Sequence, residues 1–295
     1  MKGWLITNYY LNNGKFSGIA KFIEESAKKY DIDLMHLTNA DLLCNTKNSE
    51  FLNSEFEQKL PDFVLFFDKD YYLAKLLEKR GLKLYNSADS MLLCDDKALM
   101  HTTLAGTDIP VPDTVIIPKT FENIGYTKTE FLDNAANYLG LPFIIKESFG
   151  SFGEQVYLAN SISKARKILE DMHGKSGILQ KLVTESIGRD IRINIVGNKA
   201  VASMLRFSEN GDFRANITAG GSAEPYTPNE EEEALAVRVC ERLGLDFAGV
   251  DLLFGKSGSP VLCEVNSNPH FKSTFDVTGI NVADKIFEYI LGDLK

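Results

Sequence analysis

Phe247-Ala248-Gly249-Val250-Asp251-Leu252-Leu253-Phe254 is followed, across Gly255–Ser259, by Pro260-Val261-Leu262-Cys263-Glu264-Val265-Asn266. Two apolar runs of strand length separated by a glycine- and serine-containing turn read as a β-hairpin. Side chains alternate between the faces of a strand, so Glu264 and Asn266 share one face. Antiparallel pairing can bring Asp251 opposite them. Two carboxylates and an amide oxygen on one face are hard oxygen ligands suited to Mg²⁺, which takes a few protein ligands and completes its shell with water and phosphate oxygens. Exposed carboxylates are the ordinary case on a strand. These stand among Ala248, Val250, Leu252, Leu262 and Val265, where a charge either faces solvent or is paired.

Upstream, Ile191, Ile193 and Ile195 alternate with Arg192, Asn194 and Val196, Gly197-Asn198 makes a turn, and Ala200–Phe207 returns. From Asp190 onward the pattern is therefore antiparallel. Pro228–Leu243 reads as a helix with Glu230–Glu233 in its first turn, the end favourable to negative charge, and Val282–Leu291 as a final helix. Val115–Ile117, Phe143–Lys146, Val156–Leu158 and Ile178–Val183 are strand runs, with helices near Lys128–Leu139 and Ile162–Met172.

Closer to the start, Trp4–Ile6 precedes a helix carrying Ile19, Phe22, Ile23 and Ala27 on one face. Phe63–Phe67 is continuously apolar, as in a strand buried on both faces. Tyr72–Lys79 and Lys83–Tyr85 complete a βαβαβ order that points to a small parallel α/β unit. Ser87–Ser90 reads as a helix N-terminus, and Ile109-Pro110-Val111-Pro112 must be extended. The reading divides the chain into residues 1–90, 91–182 and 183–295, with an α/β fold class: a parallel α/β unit followed by two α+β subdomains.

At 295 residues the chain suits two or three domains of roughly 100–200 residues or less. Its net charge of −9 and hydrophobic content of 44% fit a globular protein and argue against a nucleic-acid partner, whose footprint is a basic face. Cys44, Cys94, Cys240 and Cys263 form no CxxC pair. No apolar run reaches the roughly 18 residues of a membrane span, so the expectation is a cytoplasmic protein with no membrane partner.

Two further clusters carry chemistry. Lys146 ends a strand just before Ser148-Phe149-Gly150-Ser151-Phe152-Gly153, and a lysine beside backbone N–H groups freed by glycine can hold phosphate oxygens. The loop matches neither the P-loop nor the GxGxxG fingerprint, and a plain turn with a snorkelling lysine is the bland alternative. Arg189, Arg192 and Arg206 gather around one hairpin, with Arg214 and Asn216 close behind. Arg192 and Arg206 can face one pocket that takes phosphate or carboxylate, while Arg189 reads as surface ion pairing. His270 lies nearest the metal-type hairpin, yet no Ser or Cys is placed with it for a triad.

In this order the pieces resemble the ATP-grasp superfamily, specifically its RimK-type amino-acid ligases. Asn86-Ser87 with Cys94-Asp95-Asp96-Lys97 is similar to the family's start of the central domain, and Phe143–Lys146 with Ser148–Gly153 to its phosphate lysine and glycine loop. Leu179-Gln180-Lys181-Leu182-Val183 resembles the adenine hinge, Asp190-Ile191-Arg192 the ribose segment, and Gly211–Asn216 the Gly-Asp-Phe-Arg-x-Asn motif. The hinge carries Lys181 where an acid is frequent, and Ser267-Asn268-Pro269-His270 stands where relatives often read Ser-Pro-Gly.

The resemblance implies an ATP-grasp fold whose two subdomains sandwich ATP, and a ligase joining a carboxylate to an amine through an acylphosphate. Mg²⁺ (or Mn²⁺) would sit on Asp251, Glu264 and Asn266. Lys97 and Lys146 would hold phosphates, Gly150, Ser151, Phe152 and Gly153 would close over ATP, and Gln180, Lys181, Leu182 and Val183 would meet adenine. Asp190 belongs to the ribose segment. Arg214 and Asn216 would stabilise the transferring group, and Arg192 and Arg206 would take phosphate or substrate carboxylate. The implied partners are glutamate or a similar amino acid and a peptide, protein or small-molecule acceptor, in a chain whose relatives often form dimers or tetramers. A catalytically inactive ATP-binding regulatory or scaffold module is the competing reading. Such a relative is expected to lose one of Asp251, Glu264 and Asn266, and all three are present.

Overall fold

The computed structural model describes residues 1–11, 14–151, 153–215 and 220–295, with backbone alone for 14–17. The first sheet combines β1 (Lys2–Thr7), β2 (Asp33–Thr38), β3 (Phe63–Phe66) and β4 (Leu84–Tyr85) in the order β2-β1-β3-β4, all parallel. Between them run α1 (Gly14–Lys29), α2 (Ser54–Glu57) and α3 (Tyr71–Lys79). Leu5, Phe63 and Leu65 pack on one sheet face with Ile19 and Ile23 of α1. Trp4, Ile6, Val64 and Phe66 fill the other against Leu73 and Leu77 of α3. Burial on both faces is why the Phe63 run lacks alternation.

Helices α4 (Ala88–Asp95) and α5 (Lys97–Leu104) follow, capped by Ser87 and Asp96. The second sheet takes β5 (Thr114–Ile116), β6 (Phe143–Glu147), β7 (Val156–Ala159) and β8 (Gly177–Lys181) in the order β5-β8-β6-β7, all antiparallel, with α6 (Phe131–Leu139) and α7 (Ile162–Asp171). Phe143, Ile145 and Leu179 point into the core with Leu132 and Leu169 of those helices. The opposite face carries the row Thr114–Gln180–Ile144 and, one row on, Lys146 opposite Ile178. α5 packs beside β8.

The third sheet is fully antiparallel, β11-β10-β9-β12-β13, from β9 (Arg189–Val196), β10 (Lys199–Ser208), β11 (Gly221–Pro225), β12 (Phe247–Phe254) and β13 (Pro260–Asn266). Its apolar face, with Ile191, Ile193, Val250 and Leu252, packs on Leu235, Ala236 and Val239 of α8 (Glu230–Leu243). Cys94, Met100, Leu104 and Ile109 join that same core. The expected alternation on β9 is present, but Arg192 and Asn194 on its polar side are buried too.

After α9 (Lys272–Thr278), α10 (Val282–Asp293) returns to the first sheet, where Phe287 and Ile290 join Leu5 and Phe63. Asn86, fully buried just after β4, ties the first sheet to the start of β12 and the end of β13 in the third. Its Nδ2 donates to the Phe247 and Ser267 carbonyls, both at 2.9 Å, and its Oδ1 accepts from the N–H groups of Asp246 and Phe247 at 2.7 and 3.2 Å. Among the described residues no helix is long and apolar enough to cross a membrane.

Candidate active site

A pocket lies between the end of the third sheet's β13, the start of α5 and the glycine loop. Lys97, Lys69, Gly150, Glu264, Asn266 and Asn268 are among its lining residues. Lys97 opens α5 and is 8% exposed, its Nζ donating to the Gly150 carbonyl at 3.2 Å. Lys146, next to last in β6, is buried as well, with Nζ 3.9 Å from Cys263 Sγ. Burial holds the Lys97 ammonium below its ordinary pKa, and the Lys146 charge pushes the same way against the pull of Glu264. Buried ammonium groups beside a carbonyl and a thiol are unfavourable until an anion reaches them. The pair therefore fits the phosphates of a nucleotide.

The glycine loop is fastened from three sides. Lys69, from the loop after β3, reaches Ser151 Oγ at 3.2 Å and also pairs with Asp95, whose other oxygen accepts from Tyr71. Lys97 holds Gly150, and Arg214 Nη1 donates to the Gly153 carbonyl at 2.7 Å. Gly150 has no room for a Cβ beside the Gln155 side chain, and Gly153 sits at φ 74°, where glycine is favoured. Phe152 lies outside the described residues, as does Asn216.

On the third sheet the register sets Asp251 opposite both Arg192 and Glu264, and Arg206 opposite Asp190. Arg192 grips Asp251 through Nε and, at 2.7 Å, Nη2. Arg206 grips Asp190 at 2.6 and 2.8 Å and reaches Asp251 at 2.9 Å. Burial pushes the Asp251 carboxyl upward, but Arg192 and Arg206 outweigh it and hold it below the usual carboxylate range. The two arginines converge on Asp251, and neither is among the residues that line the pocket. Their charge, however, is answered by Asp190 and Asp251 rather than left open.

The metal-type residues assemble in part. Asn266 Nδ2 lies 3.4 Å from Glu264 Oε1, which turns the Asn266 amide oxygen away from that carboxylate. Both residues line the pocket. Asp251 stands directly across from Glu264 in the register, but it is 1% exposed and committed to its arginines. Among the described residues no three His, Cys, Asp or Glu side chains gather into a metal site of their own. Glu264 and Asn266 suit a hard cation that takes its remaining oxygens from phosphate and water, with Asp251 able to share a lone pair.

Other expected residues take these places. Gln180 is buried at the end of β8, while Lys181 is exposed and pairs with Asp113 at 3.1 Å; Leu182 and Val183 follow half-buried. Asp190, expected in the ribose segment, has both carboxylate oxygens on Arg206. Arg214 pairs with Asp212 at 2.7 Å besides holding the loop. Arg189 makes no carboxylate ion pair among the described residues: its guanidinium stacks 4.6 Å over the Phe254 ring. Residues beyond the expected set are Lys69, Asp95, Tyr71 and His101. The motif Cys94-Asp95-Asp96-Lys97 pointed to Asp95 in the sequence, and nothing local pointed to Lys69.

The model of the RimK-like ATP-grasp domain matches residues 94–290. The chain belongs to the RimK-like ATP-grasp family. It is an ADP-forming ligase that uses ATP to make an amide bond. A probable alpha-L-glutamate ligase of Xanthomonas euvesicatoria is 34% identical to this ligase over 216 residues, covering 72% of this chain and 70% of that one. The human N-acetylaspartylglutamate synthase A is 33% identical over 249 residues; 81% of this chain aligns, but only 62% of the synthase. An uncharacterized protein of Mycoplasma genitalium is 30% identical with 92% of each chain covered. In fold, the D-alanine–D-alanine ligase of Bacillus anthracis complexed with ATP superposes with a TM-score of 0.73 at 18% identity, covering 100% of this chain and 97% of that one.

Proposed function

We propose that the ligase activates a carboxylate as an acylphosphate and joins it to the amine of glutamate or a similar amino acid. The observation that carries this reading is the buried Lys97, which lines one pocket with Glu264, Asn266 and Gly150 of the glycine loop, with the buried Lys146 beside Cys263 of the strand that bears Glu264. The acceptor carboxylate oxygen attacks the γ-phosphorus, the bond to the β-phosphate oxygen breaks, and ADP leaves. The amine then attacks the acyl carbon, phosphate departs with the electron pair of its C–O bond, and the amine loses a proton.

Lys97 and Lys146 hold phosphate oxygens, answering charge that shifts toward ADP. Gln180, Lys181, Leu182 and Val183 form the base site at the end of β8. Arg192 and Arg206, fixed by Asp251 and Asp190, set the field beneath the reacting groups, and Arg214 joins Gly150, Ser151 and Gly153 in closing the site against water. A divalent cation, Mg²⁺ or Mn²⁺, held by Glu264, Asn266 and Asp251, would neutralise charge on the phosphates. Residues 91–182 and 183–295 serve as the two halves of the clamp. The relatives' names support glutamate as the amine and a small or peptide-like carboxylate as its partner.

ADP release with Mg-ATP, measured across a carboxylate panel with hydroxylamine present, tests the reading. ADP together with a hydroxamate for one class, lost in Glu264→Ala, is the expected result. ADP formation with no hydroxamate from any carboxylate that stimulates it would sink the acylphosphate step. ATP binding with no turnover, even with cell extract as acceptor source, would favour the scaffold reading.

A further inference from the structure

The base site proposed above contains a lock that fixes which end of Gln180 can meet the base, and the inference rests on that placement. Thr114 Oγ1 donates its single hydrogen to the Pro112 carbonyl at 2.7 Å. It can therefore only accept from Gln180, 3.0 Å away, so the amide nitrogen of Gln180 faces it. The same nitrogen lies 3.1 Å from His101 Nε2. Facing a donor, Nε2 must be the acceptor, which leaves His101 neutral with its ring hydrogen on Nδ1, a buried atom that has no hydrogen-bond partner among the described residues. The surroundings agree: burial, with Lys146 and Lys97 adding to it, pushes the His101 pKa down to about 4. His101 and Gln180 are 6% and 2% exposed, so neither side chain turns freely.

Both N–H bonds of Gln180 are then committed within the protein, and only its carbonyl oxygen remains for a ligand. Gln180 stands on the sheet face that also carries Lys146, the side from which the phosphates are held. At position 6 adenine offers an amino donor, whereas guanine and hypoxanthine offer an oxo acceptor. We propose that His101 and Thr114 lock Gln180 with its oxygen toward the base, making His101 a positioning residue that sets selectivity for 6-amino purine nucleotides. A glutamine freed from this lock presents its nitrogen as readily as its oxygen and serves either purine.

Hypoxanthine differs from adenine at position 6 without the added 2-amino group of guanine, so ATP and inosine triphosphate are the probes. Dissociation constants of the full chain are measured by calorimetry with Mg²⁺, alongside melting curves to confirm folding. Wild type should favour ATP by about tenfold or more, the worth of one buried hydrogen bond gained or lost. His101→Phe and Thr114→Val should each narrow that ratio to about threefold or less. If His101→Phe fails to fold, Thr114→Val carries the test alone. In a Gln180→Leu background, His101→Phe should leave the ratio where it is, which a general loosening of the fold would not do. A ratio unchanged in both single variants, or a wild type that binds the two nucleotides alike, overturns the proposal. A wild type that binds neither overturns the ligase reading as well, and that outcome is distinct from the other two.

Discussion

Lys97 and Lys146 are buried ammonium groups with no carboxylate ion pair among the described residues, and such groups weaken the fold that holds them. Lys97→Met should therefore raise the melting temperature of the nucleotide-free chain while lowering ATP-dependent turnover by about 10²–10³, the range seen when one electrostatic contact to a reacting group is removed. Scanning calorimetry and ADP release read the two effects on one sample. Asp251 is the opposite case, a buried carboxylate whose charge is matched by Arg192 and Arg206. Arg192→Met leaves it partly uncompensated and should cost about 3–5 kcal/mol in urea unfolding.

His101 adds a pH dependence with a definite sign. Its folded pKa of about 4 lies below the ordinary value of 6.5. The unfolded chain therefore takes up a proton first as pH falls, and stability is lost between those two values, by up to about 3 kcal/mol. His101→Gln should flatten the stability profile between pH 6.5 and 4 relative to wild type.

At the level of elements, α8 shows local chemistry agreeing with the fold. Asn229 and Glu232 form a reciprocal capping box, four glutamates occupy the first turn, and Gly244 ends the helix in the left-handed conformation. Asn229→Ala should cost about 1 kcal/mol by thermal or urea unfolding, with activity intact. The helix was legible in the sequence from its acidic first turn, as was the hairpin pairing Asp251 with Glu264 from its alternation. Other elements were not. β2 and β11 are edge strands with half-exposed side chains, so they lack the buried periodicity that marks a strand. α5 is hidden differently: Lys97 and His101 share its buried face with Met100 and Leu104, and these polar side chains interrupt the apolar stripe. The partnership of Asp251 with Arg192 depends on β9 lying beside β12, 59 positions apart in the chain, which no local pattern encodes.

Across the whole molecule, the first sheet and the end of the chain form one core. Asn86 anchors it with four hydrogen bonds to the segment around Phe247 and Ser267, and α10 covers the face of Leu5 and Phe63. Asn86→Ala leaves buried carbonyl and N–H groups without partners and should lower stability by about 3 kcal/mol or more. It should do so as a single cooperative transition followed by both Trp4 fluorescence and circular dichroism, because Trp4 lies in the first sheet and the broken bonds join that sheet to the third.

The return of α10 has a consequence for the chain while it is still on the ribosome. Ser26 of α1 meets Asp284 of α10 across 258 positions of sequence. At roughly 5–20 residues per second, about 13–50 seconds separate their synthesis. Through that interval the nascent parallel sheet has one apolar face clothed only by α1, with the aromatic surface around Phe63 uncovered. The emerging chain is thus a natural client for holding chaperones, and its yield in a cell should depend on them far more than refolding of the finished protein does.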